Sequence, residues 1–258
     1  MHRTIAAGLA LTAVILTGQA PAAQPLGRYE ARTIVTGTDM RSRPTGFAAC
    51  LVDVLVKVSG DPALAHDARV AALAAHADRL VADYDYWDRM TGIPHHDEQG
   101  NYDRPYDLTV RFDQATVNEA LAGLGHAPWQ GQRPLLVPVL HVEGYAGAWD
   151  LTADGEVGRG QREAMEAAAE RYDMPLQLPR RADLLAWRAK PQEAGKNELA
   201  ILGTLRWSDT DNGWVGAWHI TWQGRAYDWG IRGVNFDEAF RDAVRGAMRV
   251  VSGNGPPQ

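Results

Sequence analysis

Leu199-Ala-Ile-Leu-Gly-Thr-Leu-Arg-Trp207, then Ser208-Asp-Thr-Asp-Asn-Gly213, then Trp214-Val-Gly-Ala-Trp-His-Ile-Thr-Trp222: this stretch decides the fold. The flanks are long β-prone runs and the centre is a cluster of turn formers, so it reads as two long strands joined by a turn. In the second strand Trp214, Trp218 and Trp222 fall at even spacing and share one face, with Gly216 and Ile220 between them. Such a row commonly packs as a core face, here against a final helix, Asn235 to Val251, that carries Phe236 and Phe240. Exposed, the same indoles would stack on sugar rings. His219 and Thr221 lie on the opposite face.

Upstream, Leu135 to Leu140 is nearly all apolar, as in a strand covered on both sides, and its Pro138 favours an edge or a bulge. A helix from Gln161 to Tyr172, a short strand at Leu176 to Leu178 and a short helix from Arg181 to Ala189 lead into the long pair. The first half reads as a strand within Tyr29 to Gly37, then a helix from Thr45 to Val58 stopped by Gly60. An Ala-rich helix over Asp67 to Ala82 and a strand around Tyr84 and Tyr86 follow. The polar loop Thr91 to Pro105, the alternating strand Tyr106 to Phe112 and a helix over Gln114 to Gly123 complete it. Gly125 to Gln132 reads as a linker. The expectation is an α+β protein of two small modules, residues 28–125 and 131–252, each a mixed sheet covered by helices, with a loose tail at 253–258.

Composition narrows the function. The chain has 258 residues, 45% hydrophobic and 22% charged, with a net charge of −6, which fits a globular protein and argues against a nucleic-acid binder. A single Cys excludes a disulfide framework within the chain. That residue, Cys50, recurs at helical spacing with Phe47, Leu51, Val54, Leu55 and Val58 and reads as a small core residue. Residues 1–22 have a cationic start, an apolar run from Ile5 to Leu16 and small Ala20 and Ala22, the pattern of a secretory signal cleaved near Ala22. The run is too short to cross a bilayer, which takes about 20 residues. The mature chain is therefore expected in the periplasm or outside the cell, with no membrane span.

Several motifs occur in a characteristic order: Val54-Leu-Val-Lys57-Val-Ser-Gly60, then Leu108-x-Val110-x-Phe112-Asp113, then Pro128-Trp129 with Arg133-Pro134. Ile201-Leu202-Gly203-x-Leu205 and Trp214-x-Gly216-x-Trp218 close the set. From Tyr29 to Trp222 this order resembles the exported bacterial proteins of domain-of-unknown-function family 2066. The resemblance implies a bacterial envelope protein and transfers no catalytic residue.

Three candidate sites stand out. His95, His96, Asp97 and Glu98, with Asp103 nearby, carry the ligand types of a divalent metal, although adjacent His side chains on an extended backbone point apart. Asp39, Arg41 and Arg43 form a basic turn able to hold an anion, and the Trp214/Trp218/Trp222 row is the glycan candidate. Other patterns fall away: Ser59-Gly60-Asp61 lacks a nucleophile elbow, and Gly155 to Gly160 lacks the Lys-Ser/Thr of a phosphate loop. Glu163, Glu166 and Glu170 read as the wet face of an Ala-rich helix. The leading expectation is a non-enzymatic binding or adaptor protein of the bacterial envelope, partnered by an envelope protein or cell-wall component and needing no cofactor. The alternatives are a metal-dependent hydrolase built on the His95 loop and a glycan-binding module.

Overall fold

A computed structural model describes residues 26–92, 104–145, 147–189 and 197–257. The class is α+β, with one three-stranded and one five-stranded sheet. The first sheet comprises β1 (Glu30–Thr36), β2 (Val81–Asp88) and β3 (Pro105–Phe112) in the order β1-β3-β2, all antiparallel. The second comprises β4 (Leu135–Gly144), β5 (Gly147–Asp150), β6 (Glu198–Ser208), β7 (Gly213–Trp222) and β8 (Arg225–Val234) in the order β5-β4-β6-β7-β8. Only β4 and β6 are parallel, and the connection between them carries α4 (Arg159–Arg171) and α5 (Arg181–Ala189). Among the described residues no helix is long and apolar enough to cross a membrane.

Local chemistry sets the helix ends. In α1 (Arg43–Ser59) Pro44 occupies the first turn, where its missing N–H costs nothing, and Gly60 ends the helix at φ 71. Asp113 caps α3 (Gln114–Gly123) by accepting from the Thr116 amide, and Asn235 caps α6 (Phe236–Val251) by accepting from the Glu238 amide. The Ala-rich helix expected over Asp67 to Ala82 is shorter: α2 covers Ala68–Ala74, a 3-10 turn covers Ala77–Leu80, and β2 has begun by Val81. The strand expected at Leu176 to Leu178 reduces to one bridge between Leu136 and Leu176. Pro138 sits where β4 pairs on one side only, since β5 reaches no further than His141.

One continuous buried cluster joins both sheets through the helices between them. α1 packs on β1 and β3, α6 packs on β6, β7 and β8, and α4 lies beside α6. The last turns of α1 are enclosed on every side: Val54, Leu55, Val56, Lys57, Val58 and Ser59 are all buried. Each large apolar side chain so enclosed contributes on the order of 1.5–3 kcal/mol.

The expected linker is fastened. The Trp129 amide donates to the Val58 carbonyl at 2.8 Å, and the Arg133 guanidinium stacks 4.2 Å over the Trp129 ring. The start of the tail is also held, Asn254 Nδ2 donating to the Ser59 carbonyl at 3.2 Å, and just before it Ser252 Oγ donates to the Gly60 carbonyl at 2.8 Å.

Candidate functional site

β1 is an edge strand, and its register shows which of its backbone groups are open. The Phe112 amide donates to the Tyr29 carbonyl and the Gly37 amide to that of Arg104. In an antiparallel ladder the intervening odd-numbered residues, Ala31, Thr33 and Val35, therefore bond to Val110, Leu108 and Tyr106. Glu30, Arg32 and Ile34 turn their N–H and C=O outward. Glu30 is satisfied, its amide donating to the Gly27 carbonyl at 3.1 Å and its carbonyl accepting from Lys57 Nζ at 2.6 Å. Arg32 and Ile34 have no backbone partner among the described residues on that edge.

Beside this edge lies a cavity of about 240 Å³. It touches Ala31, Arg32, Thr33 and Ile34, four consecutive strand residues whose side chains alternate between faces, so it runs along the edge itself. Asp53 and Lys57 of α1 line it, as do Ala164, Ala167, Ala168, Glu170 and Arg171 of α4 and Asp237 and Arg241 of α6. Leu26, Arg89 and Asp107 complete the wall. Residues from both sheets' helix layers thus meet at one cleft.

Burial governs its electrostatics. Lys57 is 1% exposed, and loss of hydration holds its ammonium below the ordinary lysine pKa while the Gly27 and Glu30 carbonyls accept from it at 3.2 and 2.6 Å. Burial also pushes the Asp53 carboxyl above its ordinary pKa, against the pull of Arg171, whose Nη2 lies 2.6 Å away. One turn earlier, burial pushes the Cys50 thiol up to about 12, as suits a core residue.

The sites expected from sequence lie elsewhere. His95, His96, Asp97, Glu98 and Asp103 fall outside the described residues, as do residues 1–22. Among the described residues no group of three or more His, Cys, Asp or Glu side chains is placed to hold a metal ion. In the basic turn Arg41 pairs with Asp39 at 2.7 Å, while Arg43 donates to Tyr86 Oη at 3.1 Å and to the Thr38 carbonyl at 2.7 Å and lies over the Tyr84 ring. The turn is thus knit to itself and to β2.

The tryptophan row faces α6. Trp218 is 2% exposed, lies 6.4 Å from Phe240 between ring centroids, and donates its indole N–H to Asp242 Oδ2 at 3.2 Å. Its ring rests on two glycines: a Cβ at Gly216 would fall 2.4 Å from Trp218 Cζ2, and one at Gly203 would fall 2.6 Å from Cε3. Trp214 meets Phe236 edge-on, and Trp222 is partly buried against the core. Trp218 therefore has no open ring face to offer a sugar. His219 points the other way and pairs with Asp228 at 2.8 Å.

The sequence assigns no site role to Asp53 or Lys57 and places Arg171 on the wet face of its helix, yet the fold brings all three to one place. The sequence also puts Glu170 on that wet face, whereas that carboxylate accepts from the Leu26 amide at the mouth of the cleft.

A family model described as a domain of unknown function (DUF8605) matches residues 22–130, less than half of the chain. This corrects the resemblance to family 2066: the family whose model matches is a different one. Motifs such as Leu108-x-Val110-x-Phe112 are those of any strand with one buried face, which is why they point to the wrong family. The match takes in β1, α1, α2, β2, β3 and α3, and stops before the α4 and α6 walls of the cleft. No curated protein and no solved structure matches the chain.

Proposed function

We propose that the protein is an exported, non-enzymatic binding or adaptor protein of the bacterial envelope, and that the cleft beside β1 receives its ligand. The observation that carries this reading is the open edge of β1, with the Arg32 and Ile34 backbone groups facing a cavity of about 240 Å³. Concave sites with a few convergent polar groups are where proteins bind ligands. Opposed pKa shifts such as those of Asp53 and Lys57 often mark acid–base pairs. Here each group is already engaged, Lys57 by two carbonyl oxygens and Asp53 by Arg171, so they serve as struts that set the shape of the cleft. Export rests on the signal pattern of residues 1–22, and sequencing the N-terminus of the chain made in a bacterial host should find it near residue 23.

The test is site-specific photo-crosslinking in that host, with the photoreactive residue at Arg32 inside the cleft or at Thr204 on the far side of the second sheet. A discrete adduct formed from position 32 and absent from position 204 supports the reading. Identical patterns from both positions, or none from either, overturn it.

A further inference from the structure

We infer that the occupant of the cleft is an extended segment of a partner protein, added as a fourth strand along the free edge of β1; this rests on the reading of the cleft as the ligand site. The first argument is the hydrogen-bonding pattern. The outward N–H and C=O groups of Arg32 and Ile34 repeat every second residue, about 6.6–6.8 Å, which is the spacing at which another strand presents its own. A sugar or a phosphate has no such repeat.

The second argument is the edge side chain. Proteins usually guard open edges with charge, Pro or a covering element; here Glu30 and Arg32 supply charge on the face of Ile34, but Ile34 itself is apolar and 58% exposed. A strand laid beside it would cover it. Across the cleft, α4 turns Ala164, Ala167 and Ala168 toward the cavity, three side chains that stop at Cβ and leave an apolar wall at a distance from the edge. A groove between a strand edge and a helix is a recurrent way of holding an extended peptide.

The third argument is charge. Five cationic and four carboxylate side chains line the cavity, so the wall is close to balance. A polyanion would meet four opposing carboxylates. A peptide backbone, dipolar and nearly neutral, meets no such penalty.

The probe is a displayed library of random linear dodecapeptides, selected on the purified full chain, with affinities of the enriched peptides measured by fluorescence anisotropy. Three variants separate the explanations. Ile34→Pro removes an outward N–H that β3 does not use, so the ladder survives. Ala167→Trp fills the cleft, and Ile34→Val changes little. Enriched peptides should bind the parent and Ile34→Val alike, and lose tenfold or more with Ile34→Pro and with Ala167→Trp.

In the unaltered chain, saturating peptide should slow amide hydrogen exchange at Arg32 and Ile34 at least tenfold, a readout independent of whether any variant folds. Loss of binding in Ala167→Trp alone, with exchange at Arg32 and Ile34 unchanged, overturns strand addition and leaves the cleft as the ligand site. Equal binding by all variants overturns both readings. Failure to enrich any peptide overturns strand addition, and the crosslinking from position 32 then decides the cleft reading on its own.

Discussion

Nη2 of Arg133 donates to the backbone carbonyl of Lys57 at 2.6 Å. The same guanidinium donates through Nη1 to the Tyr172 carbonyl at 2.8 Å, and its Nε lies 3.2 Å from Asp173 Oδ2. One side chain therefore ties the end of α1 to the end of α4. Burial costs it enough to bring its pKa down to about 10, yet it is still charged at neutral pH.

Replacing Arg133 with Met should destabilise the protein by about 1–3 kcal/mol for each of the two buried carbonyls that lose their donor, while Asp173 keeps Arg28, whose Nε lies 3.1 Å away. Urea unfolding of the variant measures this. A loss below about 1 kcal/mol would mean that water already serves those carbonyls.

Gly216→Ala should cost at least about 1–3 kcal/mol, since the new methyl would stand 2.4 Å from the Trp218 ring with no flexible neighbour to yield. The expected signature is a lowered melting temperature together with a change in tryptophan emission. An unchanged melting temperature would show that the indole can shift.

Cys50 should resist thiol reagents in the native protein at pH 8 and react fully in denaturant. Its side chain is 0% exposed, and a thiol whose pKa lies at about 12 offers almost no thiolate at that pH. Rapid stoichiometric labelling without denaturant would show that α1 opens readily.

Lys57 should give stability a rising dependence on pH. Its folded pKa lies below the ordinary value of 10.5, so the unfolded chain binds more protons in the window between the two, and stability grows as pH climbs through it. The stability of the parent relative to Lys57→Met should shift in the parent's favour as pH is raised toward 10.5. A flat or falling difference would place the lysine in a hydrated setting.

Much of the fold is legible along the chain because the pieces are long and their caps are local. The strands over Leu199 to Trp207 and Trp214 to Trp222 lie within β6 and β7, and α6 begins one residue after the Asn235 at which the expected helix starts. β8 escaped because Gly230 and Gly233 interrupt its pattern and Arg225, Asp228 and Arg232 make it read as a polar connection. β5 is only four residues long. The Ala-rich helix broke early because its apolar spacing continues into residues that the 3-10 turn and β2 use. The cleft was not legible at all. Its residues come from distant parts of the chain, each carries the ordinary polarity of a helix flank or an edge strand, and only the register of β1 shows which backbone groups stay open.

The bonds from Ser252 and Asn254 to the carbonyls of Gly60 and Ser59 impose an order on events. A polypeptide is made from its N-terminus, so α1 exists long before the residues that seal its end. Until residues 252–254 have been made, the Gly60 and Ser59 carbonyls at the end of that helix lack these two donors.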